Sequence, residues 1–264
     1  MRSEDVKGVF APNRALSPAV MRLLVLGQAA TALVFWWVSP LGVLPNPAEV
    51  ATALRGLWLE QGLGRELITS FTTNLEALAI TLAISLVVSY LTVVPFFRPI
   101  GAAVSKGRFL GLIGLTFLFT LVVGGGHPLK VSLLVFGMTV FFVTSMIDVV
   151  AAIPKEAFDH ARTLRMSEWR TVWEVVVLGT KDKAVELLRQ KAAIGWMMLT
   201  MVEGIARSEG GVGALLLNQN KHFHLAEVFA IQLLILLVGI LQDYGIGVLK
   251  RLVAPYAELT LERR

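Results

Sequence analysis

Four stretches of this chain run for 17 to 22 residues without a charged side chain: 23–44, 77–97, 109–126 and 131–147. Two more, 192–206 and 228–249, carry a single charge each, Glu203 and Asp243. An α-helix rises about 1.5 Å per residue and the hydrocarbon core of a bilayer is about 30 Å thick, so about 20 apolar residues cross it. Lipid offers no hydrogen-bond partner to the backbone, and runs of this length therefore cross as helices. The expectation is an all-α membrane protein with six transmembrane helices, the fifth the shortest. Composition agrees. Hydrophobic residues make up 55% and charged residues 16%, against about 25% charged in ordinary globular chains. Mean hydropathy is +0.70. Trp36 and Trp37 sit near the end of the first run, where an interfacial aromatic belt belongs. There is no cysteine, which excludes disulfide scaffolds and zinc–thiolate sites.

Six spans put both termini on one side. Assigning every Lys and Arg to a side under this topology gives 19 with the termini and 5 opposite, accounting for all 24. Cytoplasmic loops carry the excess of Lys and Arg, so the termini are read as cytoplasmic. The net charge of +5 then faces anionic headgroups or an acidic partner, not nucleic acid. The first ~20 residues are polar, without the apolar core of a cleavable signal, and the first span serves as its own insertion signal.

Between the spans, Asn46 followed by Pro47 has the form of a helix start, and an amphipathic stretch continues to about Leu59 on the outer face. The longest polar segment is cytoplasmic, 154–191. Pro154 opens one short helix. Ser167 caps a second, with Glu168 at the positive end of its dipole. The two meet at an angle near 165–167, and Trp169 and Trp173, four apart, share a face. Phe158, Leu164, Met166 and Trp169 form an apolar anchor set suited to a protein partner, with Asp159 and Arg162 able to pair with that partner or with each other. The plainer alternative is a loop lying on the membrane with its tryptophans among the headgroups.

Few residues offer chemistry. The outer segment Ser208-Glu209-Gly210-Gly211-Val212-Gly213 lacks the Lys-Ser/Thr of a phosphate loop, and no such loop occurs elsewhere in the chain. Glu203 lies within a span, and an intramembrane acid is a functional candidate by default. It is read as a pore or gate candidate, with a structural bond to loop amides near Gly210 as the alternative. Asp148 and Asp243 are read as solvated span ends, Glu76 as interfacial and His127 as a loop residue. His222 and His224 are two apart, so only a strand would align them on one face. Gly107 and Gly111 match the small-xxx-small helix-packing spacing. No nucleophile–base pair or paired carboxylates at helix spacing appear within the spans, so the chain is not read as an enzyme; the resemblance below implies a transport subunit.

These residues carry a resemblance. The segment Asp159-His160-Ala161-Arg162-Thr163-Leu164-Arg165-Met166-Ser167-Glu168-Trp169-Arg170 is similar to the EAA loop of ABC importer permeases, which typically reads EAARTLGASRWQ. Leu44-Pro45-Asn46-Pro47 followed by Val50 resembles the LPSP-x-x-V piece after the first span. Val202-Glu203 and Gly210-Gly211-Val212-Gly213 resemble the A-E and S-G-L-G pieces around the fifth, and Val228-Phe229-Ala230 opens the last span as the family does. The resemblance runs from about 40 to 255 and points to the nitrate, sulfonate and taurine-type permeases. Departures are Arg165 in place of the loop glycine, His160 in place of an alanine, Leu178-Gly179 in place of Leu-Pro, and the absence of prolines from 108–123 and 131–153.

The resemblance implies the type I ABC importer permease fold. Its parts would be a cytoplasmic segment 1–22, a permease domain 23–250 with the coupling loop 154–191, and a cytoplasmic tail 251–264. Phe158, Asp159, His160, Ala161, Arg162, Leu164, Arg165, Met166 and Trp169 would dock on an ABC ATPase, which would hold ATP–Mg; this chain itself would carry no cofactor and no metal. The further partners implied are an extracytoplasmic solute-binding protein, a second permease copy in a homodimer, and the bacterial inner membrane. The solute would be a small anion or organic compound of the nitrate, sulfonate or taurine kind. A membrane scaffold or regulatory subunit that has lost transport coupling is the alternative, and an ATP-independent channel or carrier a third reading.

Overall fold

A computed structural model describes residues 17–39, 42–206 and 209–255. The expectations that concern 1–16 and 256–264, which include Arg2, Lys7, Arg14, Arg263 and Arg264, and those on Arg207 and Ser208, lie outside the described residues. The described chain is helical, without a strand. In order, the helices are α1 (Pro18–Trp37), α2 (Pro47–Glu60), α3 (Leu63–Leu91), α4 (Arg98–Lys106), α5 (Leu112–Val123), α6 (His127–Ala151), α7 (Lys155–Thr163), α8 (Glu168–Thr171), α9 (Lys181–Ile205), α10 (Val212–Lys221) and α11 (Leu225–Val253). Wider π-helical backbone over Val172–Leu178 prolongs α8.

Four of these, α1, α3, α6 and α11, are long and apolar enough to cross a membrane. A fifth crossing can be counted if Pro95–Phe109 and Leu112–Val123 form one broken span, bent by 117°. Six straight spans are therefore not what is seen. The run 109–126 yields a helix of 12 residues, about 18 Å long and short of the hydrocarbon core. The cations Lys106 and Arg108 do not sit in a simple loop. They flank Gly107, where an added Cβ would lie 3.0 Å from Val140 in mid-α6, because α4 folds back along that helix. Gly111, the other half of the small-residue pair, has nothing within 4 Å. The run 192–206 is the second half of α9, whose first half carries Lys181, Asp182, Lys183, Glu186, Arg189 and Lys191.

The second span also begins earlier than apolarity indicates. Helix α3 starts at Leu63, not near Ala77, and ends at Leu91. Its added turns carry Ser70, Thr73 and Asn74, all buried. Polar residues extend the helix here because they face protein instead of water. Ser70, Asn74, Ala77, Thr81, Ser85 and Ser89 form one buried stripe at spacings of three and four, and such small side chains let helices approach closely in lipid. Against it runs α6, whose Leu134, Met138, Phe142 and Met146 recur every fourth residue and are fully buried. Helix α6 is the centre of the bundle, packed by α3, α4, α5 and α9. Helix α11 packs on α9 and α2, while α1 stands largely exposed. Its Trp36 indole N–H donates to the Pro45 carbonyl at 2.9 Å.

The predicted start of α2 is present in full. The Asn46 side chain accepts from the Glu49 amide, and the Glu49 carboxylate accepts in return from the Asn46 amide, the reciprocal capping box. Truncating the central Met138 to alanine leaves a cavity that the close packing of α3, α6 and α9 cannot collapse. The expected loss is about 2–5 kcal/mol, read as a fall in the unfolding midpoint in detergent.

Candidate functional site

The two ends of α9 lead to two different constellations. At its start lie α7 and α8; past its end lies the glycine-rich loop.

Helix α7 ends in a Schellman motif. The Met166 amide donates to the Ala161 carbonyl at 3.2 Å and the Arg165 amide to the Arg162 carbonyl at 2.9 Å, the 6→1 and 5→2 pair of this motif. The motif needs a left-handed residue at the position Arg165 occupies, and Arg165 has φ +52°. That is the position where the resembling family keeps glycine. A non-glycine residue there costs about 1–2 kcal/mol. Arg165 thus adopts a backbone conformation that glycine reaches without strain. Ser167 then caps α8, its hydroxyl accepting from the Arg170 amide at 3.4 Å.

This geometry separates the predicted docking residues into two groups. Ala161 is buried, and Phe158 and Met166 are half-buried. Asp159, His160, Arg162, Leu164, Arg165 and Trp169 are exposed. Asp159 and Arg162 pair with each other at 3.0 Å. Trp169 is 71% exposed, and Leu164 and Trp173 are each more than half exposed. The end of α7, α8 and the π-helical stretch after it leave these large apolar groups exposed, and exposed apolar groups of this size mark interaction surfaces.

At the other end Glu203 is fully buried and satisfied. One carboxylate oxygen accepts from the Ser70 hydroxyl at 2.7 Å and the other from the Gly213 amide at 2.8 Å. The Ser70 oxygen in turn accepts from the Val212 amide at 2.8 Å. The Gly211 amide donates to Glu66, and the fully buried Lys130 donates its ammonium to the Gly210 carbonyl at 2.7 Å. The loop is thereby fastened to α3, α6 and α9. Glu203 bonds to the loop amides beside Gly210, the structural alternative raised from the sequence. Glycine is required at two loop positions. Gly210 and Gly211 have φ of +67° and +108°, and a Cβ on Gly211 would lie 2.3 Å from the Glu203 carboxylate.

Several partners were invisible in the sequence. Asp243 is not a merely solvated end, because Arg189 grips it through two bonds of 2.6 Å. Glu76 pairs with His127 at 2.8 Å, which makes His127 more than a loop residue. His222 and His224 lie side by side, ring centroids 5.8 Å apart, without a strand. The turn through Phe223, at φ +56°, folds them together. In mid-bundle the Gln242 side-chain oxygen accepts from Asn74 at 3.1 Å and from the Trp196 indole at 2.7 Å. Asn and Gln within apolar runs were the available signal, since polar groups in lipid-spanning helices turn toward protein or water.

No protein-family profile matches the chain, and no curated protein sequence does. Among solved structures, a chain of the MetNI methionine ABC transporter in an inward-facing conformation matches with a TM-score of 0.58 and 15% identity, covering 79% of this chain and 99% of that one. At this identity the likeness shows the fold. The chain is a helical, multi-pass membrane protein with the fold of an ABC transporter permease.

Two outcomes are expected here. Ser70→Ala removes the acceptor of the Val212 amide and a donor to Glu203, and should cost about 1–3 kcal/mol, read from thermal unfolding in detergent. Arg165→Gly should relieve about 1 kcal/mol of left-handed strain and leave α7 intact by hydrogen exchange.

Proposed function

We propose that this chain is the membrane permease subunit of an ABC importer, coupled to a separate ATPase through residues 154–191. The observation that carries the reading is the pair of short helices at one end of a permease-type fold, presenting Leu164, Trp169 and Trp173 to the outside. A carrier that works alone has no need of such a face. Phe158, Ala161 and Met166 support it from beneath, and the Schellman turn at Arg165 sets the angle between α7 and α8. Asp159, His160, Arg162 and Arg165 surround the apolar groups with charge and hydrogen-bonding capacity. Closure of an ATPase dimer would push on this face and tilt the bundle.

On this reading the complex contains two ATPase subunits that bind ATP–Mg, a second permease copy in a homodimer, and an extracytoplasmic solute-binding protein. It resides in the bacterial inner membrane with both termini cytoplasmic. Residues 1–22 and 251–264 flank the permease domain 23–250. The resemblance of the loop and its neighbouring motifs supports a small solute of the nitrate, sulfonate or taurine kind. Glu203 serves as part of the outer closure, holding the 210–213 loop over the bundle. The scaffold reading is motivated by the missing loop glycine and the missing prolines. The left-handed backbone at Arg165 answers the glycine alone.

Purification from native membranes in mild detergent should bring down a P-loop ATPase in near-equal amount. Asp159→Ala, Leu164→Ala and Trp169→Ala should each reduce this association without affecting membrane insertion, Trp169→Ala by about 2 kcal/mol or more. Unchanged association in all three variants would sink the docking assignment.

A further inference from the structure

An acid and an imidazole stand on the outside of this chain at a depth where lipid tails would meet them. Glu76 and His127 pair at 2.8 Å, and their side chains are 49% and 46% exposed. Glu76 lies about 20 Å of helix beyond Leu63, the start of α3. Its neighbour Asn74 sets the level. Asn74 bonds Gln242 of α11 at 3.1 Å. An added Cβ on Gly195 of α9 would lie 2.8 Å from the Asn74 side-chain oxygen and 3.0 Å from the Met138 sulfur of α6. Each of these four residues is ten or more residues, about 15 Å, from both ends of its helix. Four helices thus agree on the middle of the bundle, and Glu76 follows Asn74 by half a turn. Glu66 and Ser70, which hold the 210–213 loop, precede it on α3, so Glu76 lies beneath that closure.

The pair is turned away from the core. Helix α3 buries Ser70, Thr73, Asn74, Ala77 and Leu78 and leaves Thr72, Leu75, Glu76 and Ala79 exposed. Ionisable groups at this depth face protein or a water-filled cavity, and the described residues do not cover this one. A second feature lies level with it. The 117° break between Phe109 and Leu112 sits beside mid-α6, where an added Cβ on Gly137 would lie 3.4 Å from Leu112. Phe109 is 78% and Leu110 56% exposed, and an added Cβ on Gly111 would meet nothing within 4 Å. Backbone that leaves the helix at membrane depth is tolerated only against protein or along water. From this break α5 runs to Val123, and three glycines join it to His127.

We infer that Thr72, the Glu76–His127 pair and the 109–112 break border a water-filled path, the route of the solute from mid-bundle to the 210–213 loop. Lipid tails account for neither the exposed pair nor the exposed bend. Water solvates the first and supplies hydrogen bonds to the second. This rests on the importer reading and adds to it a wall for the route. A second copy of the chain is the other element able to cover this face, and the experiment separates the two.

The chain has no cysteine, so a single introduced thiol reports its own surroundings. The full-length chain in nanodiscs, open to water on both sides, is treated with the membrane-impermeant cation 2-(trimethylammonium)ethyl methanethiosulfonate. The reagent attacks the thiolate, which forms in water and not among lipid tails. Thr72→Cys, Glu76→Cys and Gly111→Cys should label about tenfold or more faster than Leu26→Cys on α1 and Leu237→Cys on α11, two exposed apolar positions. Thr72→Cys and Gly111→Cys leave the pair intact, so they keep the test valid if Glu76→Cys folds poorly. Labelling of both at the rate of the two controls would overturn the path. So would a disulfide-linked dimer formed through Thr72→Cys or Glu76→Cys in place of labelling, because this face would then lie against a second copy. Labelling needs no ATPase. If the ATPase co-purifies and all positions label alike, the wall assignment alone fails. If these positions label fast and no ATPase co-purifies, the water-lined face stands and the importer reading fails.

Discussion

In hydrocarbon no polar group can turn to water, and every other feature of this bundle follows from that constraint. A fully buried carboxylate is tolerable only with donors on both oxygens, and Glu203 receives them from Ser70 and from the Gly213 amide. Lys130, equally buried, is held by the Gly210 carbonyl. The same requirement turns the stripe of serines, threonines and asparagine on α3 toward α6 and α9 and keeps it from the lipid. Packing of small residues then brings these helices together, in an environment where apolar burial between helices supplies little drive.

The two ends of the bundle differ in character for the same physical reason. Where the 210–213 loop enters, acidic and basic side chains and backbone amides are locked together, and the glycines are there because a Cβ would occupy the space of the carboxyl groups. Around α7 and α8 there is no such lock. Water can reach the Asp159–Arg162 pair, and large apolar groups stand exposed next to a backbone turn of defined shape. One end is closed on itself by hydrogen bonds, and the other leaves large apolar groups exposed.

Much of the local structure was legible. Asn46, Pro47 and Glu49 start α2 through contacts three residues apart, and Ser167 starts α8 in the same way. The two short helices of the segment 154–191 could be read from their start signals. The bounds of the second and third spans could not. Apolarity marks where a helix can meet lipid, whereas α3 extends through polar turns that meet protein, and α4 with α5 breaks by 117° just past Lys106 and Arg108, an angle that the charges do not give. The partners of Glu203, Gln242 and Asp243 were out of reach because Ser70 lies 133 residues from Glu203, Asn74 lies 168 from Gln242 and Arg189 lies 54 from Asp243.

The sequence by itself determined that this is a helical membrane protein and where its short helices begin. Those properties depend on composition and on contacts within a turn or two of helix. Only the tertiary structure decided that Glu203 is fastened to the loop, that Arg165 stands in the left-handed position, and that Arg189 grips Asp243. Hydrogen bonds across helices are directional and short, and nothing in a linear pattern says which distant partner comes within 3 Å.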